Sequence, residues 1–150
     1  MTDDAPAPEH TVPDGVDDAT VEALGKLSEA LEWVERARGH LYEFHQLSGH
    51  ADLTLGEAVD QLEEAGHDEL AERLRTELVG RNVLEGRWTF QVMEEYDDGY
   101  WSVFRDLEKQ ARDELVQGRR HLFEAAMKER ERTRGHHAHT ARPGSAPEPS

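Results

Sequence analysis

Two short His-x-x-Glu pairs are the first candidates for chemistry in the sequence. One pair is His40 and Glu43, and the other is His121 and Glu124. Residues three apart share a helix face, and two such pairs facing one another can supply four ligands for iron, manganese or zinc in a helical bundle. On helical projections, however, the glutamates fall nearly opposite the leucine-rich stripes, and the histidines lie at the stripe edges. The spacing therefore favours surface pairs over a metal site.

A second group of polar residues falls within otherwise apolar helical stripes, and it comprises His45, Glu95 and Glu108. A buried carboxylate must be paired, hydrogen-bonded or protonated, because desolvation of the ion is costly. We expect these side chains to satisfy one another or a nearby arginine, which is a structural role. The alternative is a divalent-metal or small-ligand site. Its ligands would be His45, Glu95, Glu108, His40 and His121.

Apolar side chains in surplus are the third feature. Half of the aromatic residues lie in the segment 86–101, where apolar side chains point to opposite sides of a helix. A helix that is apolar on two sides is either enclosed in a core or divided between core and interface. We expect an interface built from Trp88, Phe90, Met93, Trp101, Val116, Phe123 and Met127. A homodimer in which the long helices pack against a symmetry mate is the simplest way to bury this surplus.

The composition narrows the classes of function. The chain has 150 residues, with 33 acidic and 17 basic side chains and a formal charge of −16. This length fits one domain. A field of this sign repels phosphate backbones and anionic lipids, so we expect neither a nucleic-acid nor a membrane partner.

Cysteine usage and hydropathy point to a compartment. The absence of cysteine removes disulfides, thiolate metal sites and cysteine nucleophiles together. No apolar run approaches the roughly 20 residues that span a bilayer, and the N-terminal residues lack the pattern of a signal peptide. We therefore expect a soluble, cytoplasmic protein.

Charge and proline content divide the chain into three segments. Residues 1–16 are predicted to be a disordered acidic tail, because they are rich in acid and proline and have little to bury. Residues 136–150 are predicted to be a disordered tail containing histidine and proline. The segment between them, residues 17–135, is predicted to be a single helical domain.

Periodicity and capping residues predict an all-α bundle. Two long helices, at about 19–47 and 100–133, frame two or three short ones. The segment Ser48-Gly49-His50 is predicted to end the first helix, and the capping-box pair Thr54 and Glu57 to open the next. Asp97-Asp98-Gly99 is predicted to break the chain before the last long helix.

The segment 82–96 is the ambiguous element. Residues 88–92 alternate like a strand, whereas Leu84, Trp88, Val92 and Tyr96 fall four apart as in a helix. Because there is no convincing second strand to pair with it, we favour a helix that begins at the capping pair Asn82 and Glu85.

These patterns favour a non-enzymatic module. The sequence has no glycine-rich phosphate loop and no nucleophile elbow. We expect a cytoplasmic helical module that acts through protein–protein interaction or self-association and needs no cofactor. The metal- or ligand-binding bundle is the alternative.

Overall fold

The computed structural model describes residues 4–144 and confirms the all-α class. The α-helices are α1 (Asp18–Glu64), α2 (Asp68–Glu77), α3 (Thr89–Tyr96), α4 (Ser102–Val116) and α5 (Leu122–Glu131). A π-helical turn, Asp97–Trp101, joins α3 to α4, and a 3-10 helix covers Pro8–His10. No strand forms within residues 4–144, where the β-type pairing is an isolated bridge between Leu84 and Arg87.

The first helix does not end at Ser48-Gly49-His50, so the predicted boundary at residue 47 is wrong. α1 continues for 47 residues, about 70 Å. Glycine ends a helix when it adopts a positive φ, and Gly49 does not. The Thr54 hydroxyl donates a hydrogen bond to the His50 carbonyl at 2.9 Å, which is the bond of a threonine inside a helix and not of a capping residue. α1 begins after Asp17, whose carboxylate accepts the Thr20 N–H at 2.8 Å, and it ends before Gly66, which has a φ of +89°.

The predicted break at Asp97-Asp98-Gly99 is also wrong, because the backbone stays helical through it. A π-helical turn inserts one extra residue and frees backbone carbonyls. The Ser102 hydroxyl compensates by lying 2.8 Å from the Asp97 carbonyl and 2.9 Å from that of Asp98. α3, the turn and α4 therefore form one helical run.

The predicted long helix at 100–133 is instead divided into α4 and α5. Gln117, Gly118 and His121 all have left-handed φ values, of 59°, 72° and 57°. The Gly118 N–H donates to the Arg112 carbonyl at 2.9 Å, which closes α4. Gly118 therefore ends α4.

The helix predicted from Asn82 begins seven residues later. Residues 82–87 form a turn in which Gly86 has a φ of +69°. The helix α3 starts after Trp88, whose backbone N–H donates to the Gln91 side chain at 3.0 Å. The capping contact therefore comes from Gln91, at the third helical position, and not from Glu85.

The chain divides into two compact units, and the division falls inside α1 and α4. One unit comprises residues 1–32 and 105–150, and its core contains Val21, Leu24, Val116 and Leu122. Val12 and Val16 pack against this core, although both lie in the segment that we predicted to be a tail. The predicted tail residues 1–3 and 145–150 lie outside the described residues, and the predicted domain boundaries remain a prediction.

The second unit comprises residues 33–104. Within it α2 runs back along the end of α1, with Val59 and Ala71 almost completely buried. The Arg75 guanidinium on α2 lies 2.7 Å from the Glu63 carboxylate on α1, and the Asp52 carboxylate accepts the Gly80 N–H at 2.9 Å. Both polar contacts lie at the C-terminal end of α2 and fix that end against α1.

Within residues 4–144, no helix has the length and apolar character that crossing a membrane requires.

The interior position of Gly49 predicts that Gly49→Ala stabilises the protein. No atom lies within 4 Å of a Cβ added there, and alanine is favoured over glycine within a helix by about 0.5–1 kcal/mol. Urea unfolding should show this gain. Gly118→Ala is the matched control, since its φ of +72° and an Asp113 oxygen 2.8 Å from the added Cβ predict destabilisation. A destabilised Gly49→Ala would contradict the continuity of α1.

Candidate functional site

One face of α1 carries a row of exposed, mostly apolar side chains. Its positions are alternately four and three residues apart, the repeat of a coiled-coil seam. We name this face the outer seam. Its members, all exposed, are Trp33, Ala37, His40, Phe44, Leu47, Ala51, Thr54 and Ala58.

The outer seam is distinct from the face that α1 buries in the same unit. That face contains His45, Asp52 and Val59, which meet α3, the end of α2, and α2 itself. The two faces are separated by roughly a third of a helical turn. Trp33 is 61% exposed, Phe44 45% and Leu47 60%, so the largest members of the seam remain in solvent.

The outer seam has little capacity for chemistry and a clear capacity for packing. Its titratable member is His40, whose Nδ1 lies 3.6 Å from the Glu43 carboxylate in an exposed pair. The Arg36 guanidinium lies 4.6 Å from the centre of the Trp33 ring. A stripe without acidic side chains, on a unit with 16 acidic and six basic ones, resembles the charge-depleted centre of a protein interface.

A cleft of about 590 Å³ opens between the end of α2 and the start of α3. Leu55, Leu78, Val83 and Trp88 are prominent in its lining. The Asp52 carboxylate in its wall is already bound to the Gly80 N–H. The cleft therefore offers mainly apolar contact, and the Arg81 guanidinium in its lining donates to the Glu77 carbonyl at 3.4 Å.

The most organised polar cluster lies at the π-helical turn. The Arg38 guanidinium donates to both oxygens of the Asp97 carboxylate, at 2.7 and 3.2 Å, and the Tyr42 hydroxyl donates to the same carboxylate at 2.7 Å. The Trp101 ring lies 3.9 Å from the guanidinium, and its Nε1 donates to Glu35 at 2.8 Å. Because each group is already bound, the cluster holds the π-turn against α1 and is not a set of catalytic groups.

The charges in this cluster act on one another. The hydrogen bonds from Arg38 hold the pKa of Asp97 below its ordinary value, against the opposing effect of burial. The same contact raises the pKa of Arg38. The pKa of Tyr42 is raised, first by its hydrogen bond to Asp97 and then by burial.

The structure places the predicted metal ligands apart or pairs them locally. His45 Nδ1 lies 2.6 Å from the Thr89 hydroxyl. The Glu95 carboxylate is exposed and lies 2.7 Å from Arg87, so it is not in a buried stripe as predicted. Residues 4–144 contain no group of three or more His, Asp or Glu side chains placed to hold a metal ion.

The other two candidates lie in the unit formed by residues 1–32 and 105–150. Glu108 is buried, as its stripe predicted, and its carboxylate receives two hydrogen bonds from Arg112 and one from Ser28. His121 is exposed and begins α5 in a left-handed conformation. Both positions have local structural explanations.

The predicted interface residues divide by exposure. Trp88, Phe90, Phe123 and Met127 are exposed, with the Trp88 and Phe90 rings packed edge to face at 5.4 Å. Met93 and Trp101 are half-buried. Val116 is 1% exposed because it belongs to the core of its unit, so it is not part of a surface.

The outer seam was missed in the sequence for a definable reason. The predicted helix stop at Ser48-Gly49-His50 divides the seam into two short pieces. The available signal was the unbroken alternation of four- and three-residue spacings from Trp33 to Ala58.

Comparison with known proteins adds no relative: no protein-family model, curated protein or solved structure matches the chain.

The lowered pKa of Asp97 predicts a pH-dependent effect of Asp97→Asn. The carboxylate stabilises the fold above its ordinary pKa of 3.8, and this contribution is lost as the pH falls through the lower folded-state value. At pH 7 the variant should lose about 1–2 kcal/mol, since the pair is largely removed from solvent. Urea unfolding from pH 7 to pH 3 measures the difference, which should shrink below about pH 4.

Asp98→Asn is the matched control for this experiment, because Asp98 is adjacent and exposed. Its substitution should change stability by less than about 0.5 kcal/mol at any of these pH values. A deficit for Asp97→Asn that does not vary with pH, or that Asp98→Asn reproduces, would show that the ion pair is not its source.

Proposed function

We propose that the protein is a helical interaction module that self-associates through the outer seam of α1. The observation that supports this most directly is the seam itself, an exposed and charge-depleted coiled-coil repeat. An isolated apolar side chain in solvent is ordinary, but a row along one helix is typical of an interaction surface.

The size of the seam is suitable for a stable contact. From Trp33 to Ala58 it extends about 38 Å along the helix. With a helix roughly 10 Å across, such a seam offers several hundred Å² per copy, of the same order as the ~800 Å² per partner in standard interfaces. Trp33, Phe44 and Leu47 provide the large side chains that dominate interface energies.

The polar groups support a binding role over catalysis. The best-organised cluster, Arg38, Tyr42 and Asp97, is closed on itself. In residues 4–144 no buried side-chain nitrogen or oxygen lacks a hydrogen-bond partner, so none is left over for a substrate. The lack of cysteine makes the chain independent of an oxidising compartment, and we place its action in the cytoplasm.

Self-association predicts a concentration-dependent mass. Light scattering of the full chain at tens of micromolar should approach twice the monomer mass of 17.0 kDa. Leu47→Glu should yield monomers, because the dimer would bury two carboxylates, and the Kd should rise at least about 100-fold. Circular dichroism should show unchanged helicity.

Leu53→Glu is the control, since Leu53 is 71% exposed on α1 but lies off the seam. This variant should dimerise like the original chain. A monomeric original chain, a dimer that survives Leu47→Glu, or a dimer that Leu53→Glu alone dissociates would each overturn the proposal.

A further inference from the structure

We infer that two copies of the chain pair their α1 helices antiparallel, about a twofold axis that passes between Phe44 and Leu47. The inference rests on the proposed self-association and specifies its orientation and register. It follows from the order of large and small side chains along the outer seam, and from the charges beside it.

The order of side-chain sizes favours the antiparallel arrangement. With the axis between Phe44 and Leu47, Trp33 faces Ala58 of the partner subunit, and His40 faces Ala51 of the partner subunit. Phe44 faces Leu47 of the partner subunit at the centre. Each large side chain at the ends of the seam thus meets an alanine, which allows close helix packing without voids.

A parallel arrangement in register gives a poorer fit. It places Trp33 against its own copy and Phe44 against its own copy, where two aromatic rings compete for one position. It places Ala51 and Ala58 against their own copies, where two methyl groups leave space unfilled. Overpacking at one end and cavities at the other both destabilise a helix interface.

The charges on one flank of the seam lead to the same orientation. Four titratable side chains each precede a seam position by one residue: Arg36, Glu43, His50 and Glu57. In the antiparallel register, Arg36 lies beside Glu57 of the partner subunit, and Glu43 lies beside His50 of the partner subunit. Arg36 and Glu57 carry unlike charges, and unlike charges on facing flanks select partner and orientation in coiled coils. The His50 ring can donate a hydrogen bond to the Glu43 carboxylate.

In a parallel dimer, the charged side chains of this flank would have no charged partners on the second helix. This flank would face the opposite flank of the second helix, which consists of the uncharged residues Val34, Leu41, Ser48 and Leu55. Within residues 4–144, neither Arg36 nor Glu57 forms an ion pair inside its own chain. The Arg36 guanidinium lies against the exposed Trp33 ring, and the Glu57 side chain is exposed, so both charges stand at the surface that a second copy would contact.

Disulfide trapping tests the orientation, because the natural chain contains no cysteine. In the double variant Ala37→Cys with Thr54→Cys, the thiol at position 37 of one copy lies opposite the thiol at position 54 of the other copy when the helices are antiparallel. Within one helix they are about 26 Å apart, which is too far for an internal bond. Under mild oxidation, most of the full-length chain should migrate as a covalent dimer on a non-reducing gel.

Three control variants distinguish the antiparallel register from a parallel register and from nonspecific cross-linking. Ala37→Cys alone and Thr54→Cys alone should give no covalent dimer in the antiparallel register, whereas a parallel register would join each to its own copy. Ala37→Cys with Leu53→Cys should also fail, since Leu53 lies off the seam. Light scattering of each reduced variant confirms that it still self-associates.

The outcomes separate this inference from the proposed function. A chain that dimerises but is trapped by the single variants overturns the antiparallel orientation only. A dimer that none of the variants traps overturns the register, and a chain that stays monomeric overturns both proposals.

Discussion

The continuity of α1 through Ser48-Gly49-His50 is the constraint on which the other features depend. A helix of 47 residues presents apolar positions on more than one face, and the short helices α2 and α3 cover only part of its circumference within residues 33–104. One face is buried by Val59 against α2 and by the contact of His45 with Thr89. The outer seam is what remains uncovered. The exposed apolar surface therefore follows from helix length and not from a poorly formed core.

Within residues 33–104, polar contacts determine where the other segments pack against α1. Arg38 and Asp97, Asp52 and the Gly80 N–H, and Arg75 and Glu63 each fix one point where another segment meets α1. The Arg38 pair also makes the π-helical turn tolerable, since a π-turn misaligns backbone groups and needs outside support. Such contacts add modest net stability. A shift of the segment along α1 would leave a charge or a donor without its partner, so each contact strongly disfavours a different packing register.

The sequence predicted the helical class and the burial of Glu108, since each depends on residues within one or two helical turns. It failed where tertiary contacts outweigh local preference. Gly49 costs a helix only about 1 kcal/mol, which packing on both sides of it can outweigh. The turn at Asp97 stays helical because Arg38, 59 residues away, binds its carboxylate. Conversely, Gln117 and His121 adopt left-handed conformations that nothing in their residue types announces.

The outer seam exists only because α1 continues past Ser48-Gly49-His50. If α1 ended at residue 47, the positions from Trp33 to Leu47 would span about two heptads, and those from Ala51 to Ala58 about one. Neither piece is long enough for a stable seam. Joined in one continuous helix, they form a row with Trp33 at one end, Phe44 and Leu47 at the centre and Ala58 at the other end. Only a continuous helix brings Trp33 and Ala58 onto the same line, and the proposed pairing of two copies depends on that line.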